Sequence, residues 1–189
     1  MKRTLLIAAS IAIAAPQVFA QAKEFEGFSL GANADVTSSS ATLIGSGSDS
    51  STATGLGLQA QYTWALAPQY TMGVGASYGP TSLNAGSVNG TNFSTKNRAS
   101  IDFMPGYAIS NTTLAYGKLS ALSGTAVAAD ATGAETTSSL SGVGYGIGVR
   151  HLIDKNLFVQ AEVNSNRYND VNNTGMSSTA LSLGVGYKF

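Results

Sequence analysis

The sequence of 189 residues contains no cysteine, one histidine and one tryptophan, and only 11% of its residues are charged. The absence of cysteine excludes a disulfide framework, a lipoprotein anchor and a thiolate metal site. A single histidine provides too few of the usual ligands for a transition-metal site, so we expect neither a metal nor a cofactor. Soluble domains usually carry about 25% charged residues, so this composition is unusual for one.

Long hydrophobic runs are also missing after residue 20, and no segment there approaches the roughly 20 apolar residues of a membrane-spanning helix. The mean hydropathy is only +0.09. Without the two basic residues at positions 2 and 3, eight basic residues remain against ten acidic ones. This balance gives nucleic acid no electrostatic reason to bind. Low charge with moderate hydropathy is typical of transmembrane β-barrels and of some secreted β-proteins, so the residue pattern must decide between them.

The beginning of the chain has the composition of a secretory signal peptide. Two basic residues precede an apolar run over residues 5–15, and small residues occupy the usual recognition positions before the expected cleavage site. We therefore predict a signal peptide over residues 1–20 and one exported domain over residues 21–189. Cleavage after Ala20 fits best, and cleavage after Ala22 also matches the pattern.

The end of the chain alternates strictly between apolar residues and small or polar ones from residue 181 to Phe189. A period of two places these two sets on opposite faces of a β-strand. Earlier parts of the chain repeat this pattern, and no helical periodicity follows the signal peptide. The sequence predicts eight strands, at about residues 24–36, 54–66, 70–78, 97–109, 112–121, 139–151, 157–164 and 181–189.

The connections between these segments alternate in length. Three are short, at about residues 67–69, 110–111 and 154–156. Four are long and rich in Ser, Thr, Gly, Ala and Asn, and we expect no structure of their own in residues 37–53, 79–96, 122–138 and 165–177. Short turns at one end and long loops at the other are the architecture of outer-membrane barrels. The main rival is a soluble lipocalin-like barrel, whose apolar side chains would point inward.

The whole chain, and the alternating C-terminal strand above all, resembles the small eight-stranded outer-membrane barrels of bacteria. These are typified by the OmpA transmembrane domain, OmpX and the opacity proteins. The resemblance implies an all-β, eight-stranded antiparallel transmembrane barrel with short periplasmic turns and four longer outer loops. It implies an outer-membrane location, contact with membrane lipids and lipopolysaccharide, and an unknown ligand of the outer loops. Tyr187 and Phe189 then correspond to the signal that the barrel-assembly machinery reads.

Charged residues inside the predicted strands fall opposite the apolar face, where they point into the lumen. Asp102, Arg150 and Glu162 have this parity directly. If the following turn is symmetric about Ser110, Asp102 lies opposite Lys118, which places Lys118 in the lumen as well. A lone ion in so narrow a barrel is costly, whereas a hydrogen-bonded pair is tolerated. We therefore predict a charge network of these four residues inside the barrel.

A turn centred on Lys155 sets Arg150 opposite Gln160 and diagonal to Glu162. We interpret the charge network as a structural device that fixes strand register, with a gate or proton path as the less favoured alternative. Paired carboxylates for hydrolysis do not fit, because each predicted carboxylate has a basic neighbour.

Two further features bear on function. His151, the one histidine, falls at the turn end of its strand with lipid-facing parity, which favours an interfacial anchor over a catalytic base. Pro105 cannot donate a ladder hydrogen bond and predicts a distortion within its strand. The sequence thus predicts a non-enzymatic barrel with a structural or surface-interaction role through its outer loops. A narrow porin-like channel for small solutes is the alternative.

Overall fold

The computed structural model describes residues 21–43, 47–88, 91–130, 133–169 and 174–189. The predicted signal peptide lies outside these residues. A short 3-10 helix, Gln21–Phe25, precedes nine antiparallel strands. The strands are β1 (Gly27–Leu43), β2 (Gly47–Ala65), β3 (Tyr70–Gly79), β4 (Leu83–Val88), β5 (Thr91–Ala108), β6 (Thr113–Ala129), β7 (Glu135–Leu152), β8 (Leu157–Tyr168) and β9 (Thr174–Lys188). Within the described residues, no helix is long and apolar enough to cross a membrane.

Eight of the strands close into a barrel, which confirms the predicted fold. Each is hydrogen-bonded to its neighbours, β1 pairs with β9, and β3 pairs with β5 to complete the circle. The short strand β4 is an addition that pairs with the outer part of β5 only. We call the end with the three short connections the turn end, and the opposite end, where the long hairpins lie, the loop end.

Apolar side chains point outward from the barrel, as the parity of the strands predicts. Leu56 is 63% exposed and Ile147 is 71% exposed, whereas Asp102 and Glu162 are buried inside. Residues i and i+2 share a face of a strand, so one alternating pattern supplies both the lipid-facing and the lumen-facing surface. The alternative of a soluble barrel with an apolar interior is therefore wrong.

The prediction that the four long connections lack structure is wrong over most of their length. β1 and β2 pair without interruption up to Leu43 and Gly47, and β6 and β7 pair up to Ala129 and Glu135. The extensions of β1 and β2 carry polar residues on both faces, and that of β6 consists mostly of Ala, Ser, Thr and Gly, so neither shows the hydrophobic alternation of the lipid-facing band. They nevertheless continue the hydrogen-bonded ladders, and Thr in particular suits a strand.

Pro105 interrupts a ladder, as predicted. The pairing of β5 with β6 passes from Phe103 and Leu119 directly to Gly106 and Tyr116. Proline has no N–H group to donate, which accounts for the gap. On its other side, β5 stays paired with β3 through this segment, so the barrel remains closed.

The first strand begins later than predicted. Residues 24 and 25 belong to the 3-10 helix, and β1 begins at Gly27, whose φ is +126°. A side chain at Gly27 would be strained in that conformation and would bring its Cβ within 2.9 Å of the Phe189 carbonyl oxygen. The glycine therefore allows the chain to turn from the helix into the barrel wall.

Candidate functional site

The centre of the lumen contains a charged cluster around Lys118. Its Nζ lies 3.2 Å from Oε2 of Glu162 and 3.7 Å from Oδ2 of Asp102. Side-chain exposure is 11% for the lysine and only 6% and 3% for the two carboxylates. One cation thus serves two buried anions, each of which would be costly to bury alone.

Both carboxylates also accept hydrogen bonds from uncharged neighbours. These donors are Tyr116 Oη at 2.9 Å and Asn164 Nδ2 at 3.2 Å to Glu162, and Ser77 Oγ and Ser120 Oγ, each at 2.6 Å, to Asp102. Four of the eight barrel strands, β3, β5, β6 and β8, contribute to this network. Satisfied bonds of this kind make a buried polar cluster tolerable and hold its members in one arrangement.

The predicted register around Asp102 is wrong by two residues. Asp102 lies directly opposite Ser120, and Lys118 is the diagonal neighbour on the same face. Ala108 pairs with Leu114, so the turn is centred on Asn111 and not on Ser110. A shift of two preserves which face each residue occupies, so Lys118 still points inward and still reaches Asp102.

Arg150 occupies a separate layer nearer the turn end. It lies opposite Gln160, as predicted, and its Nη2 donates a 2.9 Å hydrogen bond to Oε1 of that residue. Its guanidinium also stacks on the ring of Phe158, with Cζ 4.0 Å from the centroid. This contact with an aromatic face helps to stabilise the buried cation of Arg150. The neighbouring carboxylate of Glu162 forms its ion pair with Lys118 and not with Arg150.

The glycine stripe of β7 makes room for this network. A Cβ on Gly148 would lie 2.5 Å from Cζ of Tyr116, the residue that donates to Glu162. The stripe also contains Gly142, Gly144 and Gly146. Asn166 fills the space next to Gly144, and Asn164 fills the space next to Gly146. These partners could not be identified from the sequence, because they contact the stripe from other strands.

The lumen also holds two charged residues that the sequence analysis did not single out. Asp35 is 8% exposed and accepts a hydrogen bond from Asn33. Arg98 follows a bulge of β5 at which Asn97 has a φ of 51°. Its Nε and Nη2 are buried and have no hydrogen-bond partner among the described residues. Their inward parity was visible in the sequence. That both line the same central cavity depends on the closure of the barrel.

An apolar cluster fills the lumen at the turn end. We call it the turn-end cluster. Phe25 and Ala22 of the 3-10 helix are 2% and 0% exposed, and the Ala22 N–H donates to the Pro68 carbonyl at 3.0 Å. The helix therefore lies across the opening. The members of the cluster are Ala22, Phe25, Met104, Ala108, Leu114, Tyr116, Leu152 and Phe158.

A second apolar cluster fills the lumen at the loop end. It consists of Ala85, Phe93, Leu140, Tyr168 and Met176, and we call it the loop-end cluster. The added strand β4 supplies Ala85 and, beside the cluster, Leu83, each 1% exposed. Leu83 reaches across to β2, where its Cδ2 lies 3.2 Å from the position of a Cβ on Gly55. β4 therefore leans over the lumen.

The cavities inside the barrel are separate and small. A polar cavity of about 100 Å³ lies between the two clusters and is lined by Lys118, Glu162, Arg98 and Ser182. Cavities of about 10 Å³ lie beside the loop-end cluster and beside Arg150. A water molecule needs about 10–15 Å³ by this measure, so of these three cavities the central one has room for several.

The rim of the loop end is polar. The Ser87 N–H donates to Oδ2 of Asp49 at 2.8 Å and ties β4 to β2. This hydrogen bond, together with one from the Ser50 backbone, lowers the pKa of the Asp49 carboxyl. Lys96 Nζ lies 3.6 Å from Oε2 of Glu135, in an exposed ion pair between β5 and β7.

Aromatic residues surround the turn end on the lipid-facing side. The rings of Tyr70 and Tyr107 meet edge to face at a centroid distance of 5.4 Å. Phe189 contacts Phe28 and Tyr187, at 5.9 and 5.0 Å. Such a girdle is typical of the membrane–water boundary of outer-membrane barrels.

His151 also lies at the turn end, exposed, with its Nδ1 3.0 Å from Oγ1 of Thr113. Among the residues that the structure describes, no group of three or more His, Asp or Glu side chains is placed to hold a metal ion.

An antiparallel barrel with an apolar exterior, an aromatic girdle and a polar interior defines a transmembrane β-barrel protein. Residues 4–189 match the family model described as "Outer membrane protein beta-barrel domain". The chain belongs to this family, and its location is the outer membrane.

Two solved structures of similar fold are the attachment invasion locus protein Ail of Yersinia pestis and neisserial surface protein A. Each is 19% identical in sequence, and each match covers 87% of this chain. The matches cover 99% and 98% of those chains, with TM-scores of 0.58 and 0.61. Ail also matches as its complex with the heparin analogue sucrose octasulfate, with a TM-score of 0.57. A comparison with curated proteins gives no match.

Proposed function

We propose that this protein is a closed, non-enzymatic barrel that acts through its outer surface and does not transport solutes. The observation that carries the proposal is the pair of apolar clusters that fill the lumen at its two ends. A polar cavity of about 100 Å³ between two dry layers provides no continuous aqueous path. The loop end, which we assign to the cell exterior, is then the surface that meets partners.

The charged groups of the lumen support a structural role for the network. Glu162 and Asp102 both bind Lys118 and uncharged donors, so their bonding capacity is engaged within the protein. His151 has a threonine partner but lies on the lipid-facing side at the turn end, away from these carboxylates. A hydrolytic site needs a nucleophile, a base and an orienting group within hydrogen-bond reach of one another.

The chemistry of the loop end favours partners that bind through hydrogen bonds. Its described part is rich in Ser and Thr, and of its charged side chains Lys96 is paired with Glu135 and Asp49 binds a backbone N–H. The structure of Ail with sucrose octasulfate concerns a polyanionic ligand of that protein. Arg167 is the exception, since it is exposed and has no ion pair among the described residues. For this chain we therefore expect hydroxyl-rich ligands with isolated phosphate groups to fit better than densely charged polyanions.

A narrow channel is the second candidate, and the polar central cavity is the observation in its favour. Proteoliposomes distinguish the two functions through their swelling in isotonic solutions of small sugars. We expect liposomes that contain the wild-type protein to swell no faster than empty liposomes, because both apolar clusters must open for a sugar to pass. A general porin in the same lipid provides the positive control. Swelling at rates that depend on solute size would overturn the closed-barrel proposal.

The N-terminal helix bears on where the signal peptide is removed. We propose cleavage after Ala20, because Gln21 and Ala22 are 5% and 0% exposed and Ala22 belongs to the turn-end cluster. Cleavage after Ala22 would remove that contact and the hydrogen bond to Pro68. The intact mass of protein purified from outer membranes should therefore correspond to a chain that begins at Gln21. A mass that begins at Lys23 would contradict this.

We also propose that Phe189 takes part in the signal for assembly. Its ring is 66% exposed, so its packing against Phe28 explains little of the fold's stability. Deletion of Phe189 should reduce the heat-modifiable protein in the outer membrane and leave unfolded protein in the periplasm. The control Phe28→Leu removes the same ring contact but keeps the terminus, and it should assemble normally. Equal assembly of the deletion and the wild type would refute the role.

A further inference from the structure

The barrel strands continue well beyond the apolar band that contacts lipid. On β1 and β2 the outward-facing apolar residues end at Val36 and Leu56, toward the loop end. A strand needs about 9–11 residues to cross a bilayer. β1 and β2 have 17 and 19 residues, so roughly half of each lies beyond the band.

The extended part of β2, β1, β9 and β8 presents two ordered rows of outward-facing side chains. We call them the hydroxyl grid. Adjacent strands are about 4.8 Å apart and successive outward residues about 6.8 Å apart. In register across the four strands, the rows are Thr52, Ser38, Thr179 and Ser165, and then Ser50, Ser40, Ser177 and Arg167.

The grid has unused bonding capacity. Within the described part of the chain, none of its seven hydroxyl groups makes a side-chain hydrogen bond, and the guanidinium of Arg167 has no ion pair. No carboxylate belongs to either row. The wall formed by β5, β6 and β7 differs, because its cation Lys96 is already paired with Glu135.

We propose that the hydroxyl grid is the docking face for the phosphorylated sugar headgroup of an outer-leaflet glycolipid. The grid directly continues the lipid-facing band, since Ser38 and Thr179 lie two positions beyond the outward residues Val36 and Leu181 toward the loop end. A single glycolipid can therefore place its acyl chains on the band and its headgroup on the grid. This inference rests on the proposed orientation, with the loop end outside.

Each part of the headgroup has a matching group on this face. A guanidinium binds a phosphate through two parallel hydrogen bonds, and Arg167 stands unpaired at the end of the second row. Ser and Thr hydroxyls donate and accept, as sugar hydroxyls do. The lack of carboxylates removes the repulsion that a phosphate would otherwise meet. Water or a protein ligand are the other possible occupants, and the test separates them.

The experiment measures binding of lipopolysaccharide to the purified full-length mature protein in phospholipid nanodiscs, by the shift in thermal unfolding. Arg167→Gln should weaken binding about tenfold, because it removes a charge-assisted contact. The triple variant Ser38→Ala, Thr52→Val, Thr179→Val should also bind more weakly. Its matched control, Ser123→Ala, Thr125→Val, Ser139→Ala on β6 and β7, should bind like the wild type.

Dephosphorylated lipopolysaccharide and inorganic phosphate serve as the remaining probes. Dephosphorylation of the lipopolysaccharide should weaken its binding to the wild type about as much as Arg167→Gln does. The affinity of the Arg167→Gln variant should change little on dephosphorylation. Inorganic phosphate alone should give no shift. Equal affinity of all folded variants, or no loss on dephosphorylation, would overturn the proposal. Because closure of the lumen is tested separately by liposome swelling, failure here leaves the proposed function standing.

Discussion

Replacing Lys118 by methionine is expected to destabilise the barrel by about 3–5 kcal/mol, since it leaves buried carboxylates without their cation. Lys118 is the ion-pair partner of both Glu162 and Asp102, at 3.2 and 3.7 Å. Methionine keeps most of the side-chain volume, so the loss reports charge more than packing. The measurement is urea unfolding of the protein in lipid vesicles. Lys155→Met, in an exposed turn, is the matched control and should change stability by less than about 0.5 kcal/mol.

A double-mutant cycle shows whether this loss comes from the pair. Glu162→Gln in the Lys118→Met background removes one of the stranded anions, so the double variant should lose clearly less than the two single losses added together. The double variant Asp102→Lys, Lys118→Asp should not recover the stability lost in the single variants, because it would place a second carboxylate beside Glu162. Additive losses in the cycle would mean that the network does not hold the strands together.

Replacing Ile147 by arginine is expected to cost about 2–4 kcal/mol, the usual penalty for a cation on the lipid face near the bilayer midplane. Ile147 is 71% exposed and lies in the middle of the outward apolar residues of β7. Ser141→Arg, on the same strand and face but beyond the apolar band, should cost less than about 1 kcal/mol. Equal losses in unfolding experiments would contradict the proposed position of the membrane.

The lipid-facing half of each strand was predictable from the sequence, because the contrast between lipid and lumen forces an alternation with period two. The inward placement of Arg150 followed from the same alternation. That of Lys118 followed from the assumed turn at Ser110, and it held because an error of two positions keeps a residue on the same face. The exact partner of Asp102 did not, since the register depends on the number of residues in the turn after Ala108. When the centre of the turn moves by one residue, from Ser110 to Asn111, the partner of Asp102 moves by two, from Lys118 to Ser120.

Features set by long-range contacts were not visible in the sequence. The extensions of β1 and β2 carry polar residues on both faces, so no hydrophobic period marks them as strands. β4 and the 3-10 helix contribute Ala85 and Phe25 to the two apolar clusters only because barrel closure brings distant strands around them. The proposal of a closed barrel rests on these two clusters, so that proposal required the structure.

The closure of the lumen can be tested directly because the chain contains no cysteine. Ser182→Cys introduces one thiol beside the central cavity, at a side chain that is 6% exposed, and Ser141→Cys introduces one on the exposed outer wall. The rate of reaction with a charged, water-soluble methanethiosulfonate is measured for both folded proteins in vesicles and after denaturation. A closed barrel predicts rapid labelling at 141, very slow labelling at 182, and equal rates once unfolded. Comparable rates in the folded state would show that water reaches the lumen freely and would contradict the closed-barrel account.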